Sequence, residues 1–194
     1  VALFVGSGNA AVGGDIIATA GATTRNQGSG GSLRFSAGEG RNIDASEGGQ
    51  IFVQAGESFG HSADDKGGDL LATAGRASAG TGGSIRVSSG FGTTTSSGHI
   101  YITSSNGGAL GMSGSLNLAT GTSAFGTSGD VLVSTGSSIH GGGGEIRLVV
   151  GTGYSGNGAS VFVSAGSSFA SDANGGALSL VSGGGSRSSG VASL

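Results

Sequence analysis

One aliphatic position recurs throughout this chain, and other residue types recur at fixed offsets from it. It is occupied by Leu3, Ile16, Leu33, Ile51, Leu70, Ile85, Ile100, Leu116, Val131, Ile146, Val161 and Leu178. Two residues later come Val5, Ala18, Phe35, Val53, Ala72, Val87, Ile102, Leu118, Val133, Leu148, Val163 and Leu180. Two later again the side chain is small in almost every copy: Ser7, Ala20, Ala37, Ala55, Ala74, Ser89, Ser104, Thr120, Thr135, Ala165 and Ser182, with Val150 the large exception. Offsets of two place all three positions on one face of an extended segment. A glycine closes nearly every phrase, as at Gly21, Gly38, Gly56, Gly75, Gly90, Gly121, Gly136, Gly166 and Gly183, and Ser105 replaces it once. Residues 13–21 and 67–75 are almost the same phrase written twice.

Successive phrases are 13 (Leu3 to Ile16) to 19 (Ile51 to Leu70) residues apart, most often 15. A period of that length is a supersecondary repeat. Identical phrases in register favour stacking of parallel turns, so the pattern predicts an all-β chain: one parallel β-solenoid, or β-helix, over residues 1–194. It would have about a dozen short coils of roughly 15–19 residues, with the handedness left open and the first two columns of side chains inside. The glycine after each phrase is expected at a corner that needs positive φ or close backbone approach. The small residue before it implies that walls converge there. Phe59, Phe125, Ile139, Tyr154 and Phe169, each past a corner, are expected to point inward from a second, shorter strand. Helices are disfavoured by glycine at this density and by the lack of a 3.6-residue period.

The residue between the first two columns faces the other way. There stand Phe4, Ile17, Arg34, Phe52, Leu71, Arg86, Tyr101, Asn117, Leu132, Arg147, Phe162 and Ser179. A contiguous apolar stripe of this kind marks a contact surface. Ile17, Arg34, Phe52, Leu71, Arg86, Tyr101, Leu132, Arg147 and Phe162 are therefore the expected lateral interface, the arginines pairing with carboxylates or ending the stripe. Both termini interrupt a phrase and neither is covered by charge or a helix. Leu3, Val5, Ala192 and Leu194 are accordingly expected to stack end to end on another subunit, or to continue into more chain. The start at Val1, without Met, fits a processed product or part of something longer.

Composition narrows the function further. Glycine supplies 46 of 194 residues, but regularly spaced aliphatic residues and a hydrophobic share of 35% argue against a disordered linker. Pro, Cys and Trp are absent, which excludes collagen, a disulfide framework and any thiolate metal site. The 8 scattered Lys and Arg give no footprint for nucleic acid. No apolar run reaches the roughly 20 residues of a membrane span.

Catalytic chemistry has no platform in this pattern. The outward phrase positions carry no Asp or Glu, so paired carboxylates cannot be assembled there. His61, His99 and His140 fall in different repeats, and Asp64-Asp65-Lys66 reads as a solvated turn. A calcium-binding nonapeptide repeat would need Gly-x-Asp after the glycine pair, which Asp15, Asp69 and Asp130 do not supply. Glycine-rich phosphate loops are excluded by the lack of a following helix and lysine. No enzyme activity, cofactor, metal or small-molecule substrate is expected.

The phrases Ser-Gly-Asp-Val-Leu-Val-Ser-Thr-Gly (128–136) and Ala-Ser-Val-Phe-Val-Ser-Ala-Gly (159–166) carry a resemblance. The chain resembles the Gly/Ser/Thr-rich repeat β-solenoids of extracellular fibrous and surface proteins, which implies a structural role outside the cell. It is more distantly similar to solenoid ice-binding proteins, although the row containing Thr19, Thr73 and Thr103 is broken by Ser36, Gln54 and Ser88. The expected function is thus a structural, fibre- or filament-forming protein at the cell surface or beyond, with other copies of itself as partner. An ice-binding or glycan-binding surface protein is the alternative.

Overall fold

The computed structural model describes residues 2–6, 13–42, 44, 46–62 and 64–193. Among the described residues there is no helix and no strand; the chain is coil with short turns and bends. The all-β assignment and the parallel β-solenoid, or β-helix, are therefore incorrect. The resemblance to the Gly/Ser/Thr-rich repeat β-solenoids of surface proteins falls with them, since it rests on that fold. A solenoid requires adjacent phrases to lie about 4.8 Å apart over several residues and exchange ladder hydrogen bonds. Here the phrases are extended but share no ladder.

The recurring contact is of another kind. Gly31 N–H donates to Gly21 O at 2.8 Å, Gly49 to Gly38 at 2.9 Å, Gly68 to Gly56 at 2.9 Å, Gly83 to Gly75 at 2.9 Å and Gly98 to Gly90 at 3.0 Å. Gly176 to Gly166 and Gly190 to Gly183, both 2.8 Å, repeat it. Each bond joins the glycine that closes one phrase to the glycine two residues before the next. The intervening residues form a loop pinched at its neck. Antiparallel approach continues inside several loops: Gly38 faces Gly49 while Gly40 faces Glu47, and Gly90 faces Gly98 while Gly92 faces Ser96. The regular spacing that suggested stacked coils instead records a series of hairpin loops.

The side chains at the necks explain the small residues. A Cβ at Gly31 would lie 3.3 Å from the Ala20 Cβ, at Gly49 3.3 Å from Ala37, and at Gly83 3.4 Å from Ala74. The close approach falls on the glycine that precedes the next phrase and not on the closing one. A Cβ at Gly21, Gly38, Gly56, Gly75 or Gly90 would meet nothing within 4 Å, so the expected corner needing positive φ or close approach is not found there. Among the described glycines only Gly126 (φ 95°) and Gly156 (φ 88°) have positive φ, both in loops. Elsewhere the four-residue turns 25–28, 62–65, 108–111 and 170–173 tighten the loop tips.

The chain divides into two units, Val1–Ile100 and Tyr101–Leu194. The first carries five necks bonded glycine to glycine, each with Ala or Ser before the closing glycine. In the second, the neck following Thr135 is held differently. The Thr135 hydroxyl donates to Gly144 O at 3.3 Å, and its Cγ2 occupies the space beside Gly144 at 3.2 Å from a Cβ built there. The β-branched side chain wedges the neck, which accounts for the absence there of the backbone bond made at the alanine necks.

No described residue is buried, and a hydrophobic core is lacking. Alternation along the phrases nonetheless persists. From Ile16 to Leu178 the first column is 50% to 67% exposed, whereas the opposite-facing Ile17, Phe52, Leu71, Tyr101, Leu132 and Phe162 are 80% to 87% exposed. The least exposed side chains are Ala37, Ala55, Ala74 and Ala165, all at necks. Phe59, Phe125, Ile139, Tyr154 and Phe169 do not point into an interior: they sit in the loops, 82% to 101% exposed.

Candidate interaction surface

The lateral positions read from the sequence are all solvent-facing. Ile17, Phe52, Leu71, Tyr101, Leu132 and Phe162 project from extended phrases into water. Arg34 and Arg86 are exposed and, among the described residues, make no ion pair. Arg147 lies 3.8 Å from Glu145 across one intervening residue, with both side chains 72% exposed. At that exposure the pair contributes little. Of the end-stacking positions, Leu3, Val5 and Ala192 are exposed, while Leu194 lies outside the described residues.

Charged groups elsewhere serve loop geometry. Arg41 grips Glu39 Oε2 through Nε at 2.9 Å and Nη2 at 2.6 Å, a two-residue pairing within one loop. Asp65 Oδ2 accepts from the Ser62 N–H at 2.9 Å, and the Asp64 N–H donates to Ser62 Oγ at 3.2 Å. Those bonds fold the 62–65 turn and match the reading of Asp64-Asp65-Lys66 as a solvated turn. The described residues enclose no cavity, and no three His, Asp or Glu side chains among them gather in metal-binding geometry.

What the sequence did not disclose is the extent of apolar exposure. A folded monomer of 18.1 kDa would expose about 8,000 Å² and its extended chain about 26,000 Å². This chain exposes 19588 Å². The excess over a globular fold, roughly 11,500 Å², includes both faces of the phrases and the aromatic loop tips. No protein-family model, curated protein or solved structure matches the chain.

Proposed function

We propose that this chain is a structural, fibre- or filament-forming protein that completes its burial of apolar surface by assembling with copies of itself. The observation that carries the reading is the unburied area. It is more than ten times the roughly 800 Å² one partner gives to a standard interface, so a dimer would leave most of it wet. Large exposed apolar patches mark association surfaces, and here they recur phrase after phrase on both faces. The stripe at Ile17, Phe52, Leu71, Leu132 and Phe162 serves lateral contact, and Leu3, Val5 and Ala192 serve axial contact. Low charge density, 8 basic and 11 acidic residues in 194, keeps repulsion between copies small. No reaction, cofactor, nucleic acid or membrane is part of this reading.

Sedimentation velocity with electron microscopy of the purified chain tests this. Fibres or large assemblies are expected, and Leu132→Asp, which puts a carboxylate into the stripe, should shift material to slower-sedimenting species. Dispersed chains in both proteins would refute the proposal, and thermal hysteresis in such a sample would instead favour ice binding.

A further inference from the structure

We infer that the interface between copies is made first by main chain: phrases of one molecule pair, parallel and in register, with the same phrases of the next. The inference rests on the self-assembly reading and specifies its chemistry. The pairing is between molecules and needs no stacking of turns within one chain.

Three observations lead to it. First, among the described residues the main chain of residues 131–134 and 161–164 makes no hydrogen bond, and all of these residues are exposed. A folded chain carries about one internal hydrogen bond per residue, whereas the described residues make eleven backbone–backbone bonds, all at necks and turns. Extended segments with open donors and acceptors on both sides are templates for strand addition. Second, these phrases have the composition that stacks: Val131, Leu132 and Val133, or Val161, Phe162 and Val163, without charge or proline. Third, the area to be covered exceeds a pairwise interface many times, as an open-ended stack requires. Translation of one copy along the pairing direction brings every phrase onto its own counterpart, whatever the arrangement of phrases within a molecule.

Unequal loops fix the register. The spans closed by the necks are 10, 11 and 12 residues at Gly21–Gly31, Gly38–Gly49 and Gly56–Gly68, then 8 at Gly75–Gly83 and Gly90–Gly98. A copy displaced by one phrase would set spans of 10, 11 and 12 against 11, 12 and 8, with only the two spans of 8 matching, whereas an unshifted copy matches each loop to its equal.

The chain has no cysteine, so a nitroxide on Ser134→Cys or Thr103→Cys reports one position. Both sites are exposed and face away from the first column. In assemblies of fully labelled protein, in-register pairing places identical labels about 4.8 Å apart. The electron paramagnetic resonance spectrum should then collapse to one exchange-narrowed line and regain three lines on dilution with unlabelled chain. Aligned assemblies should also give a meridional reflection near 4.8 Å. Three resolved lines at both positions, in assemblies that sediment and are visible by microscopy, would overturn the inference and leave the self-assembly reading standing. Failure of both labelled and unlabelled chains to assemble would overturn the two together.

Discussion

Gly92 offers a direct test of the neck as the ordering element. A Cβ at this position would stand 2.5 Å from Ser96 O and 3.0 Å from Thr95 O. Ordinary contact begins near 3.4 Å, so Gly92→Ala must push the facing segment away by about 0.9 Å. The Gly98 N–H to Gly90 O bond, two residues toward the neck, is 3.0 Å long. The same displacement would carry it beyond hydrogen-bond range. A bond of this type contributes about 0.5–1.5 kcal/mol net, which corresponds to a roughly 2- to 13-fold rise in the open population. Solvent-exchange NMR on dispersed protein should therefore show the Gly98 amide exchanging 2- to 13-fold faster, with the Gly83 amide unchanged. Gly80→Ala is the control, because a Cβ there meets nothing within 4 Å. If Gly92→Ala left Gly98 exchange at the parent rate, the loop would not be held as described.

Two further substitutions probe loop geometry. Thr135→Ala removes the wedge from its neck, and the Gly144 amide should then form the backbone bond made at the alanine necks and exchange about 2-fold or more slowly. Gln27 is the one described non-glycine residue with positive φ, 60°, in a turn closed by Gly28 N–H to Arg25 O at 3.0 Å. Gln27→Gly relieves about 1–2 kcal/mol of left-handed strain against about 0.4–1 kcal/mol of added unfolded-state freedom. Gly28 exchange should slow by up to about 15-fold as a result, and acceleration would contradict that balance.

The sequence disclosed the period and the alternation but not the topology. Offsets of two at Ile16, Ala18 and Ala20 predict a strand with two unlike faces; the difference in exposure between Ile16 and Ile17 follows that alternation, but no strand forms among the described residues. The small-residue column marks a place of close approach, with Ala20 beside Gly31 and Ala37 beside Gly49, whereas the closing glycine next to each has open space. Direction was the missing information. A residue at a point of close approach looks the same in sequence whether the approaching backbone belongs to the next stacked coil or to the returning arm of its own loop. Repetition then tipped the reading toward parallel stacking. The loop aromatics show a related ambiguity: an apolar residue reappearing past each corner predicts inward positions for Phe125 and Tyr154, yet no sheet is present among the described residues to receive them. For the lateral stripe, the pattern specified outward-facing positions, and those positions are exposed, as is every large apolar side chain among the described residues.

The necks close with bonds of 2.8–3.0 Å whether they span 7 residues, Gly183 to Gly190, or 12, Gly56 to Gly68. Chain-closure entropy over that interval changes by only about 0.5 kcal/mol. The excursions are therefore nearly free to vary in length, and foreign peptides spliced between two such glycines should be presented at regular intervals without disturbing their neighbours. Clasp geometry is kept constant from loop to loop while the content of each loop changes.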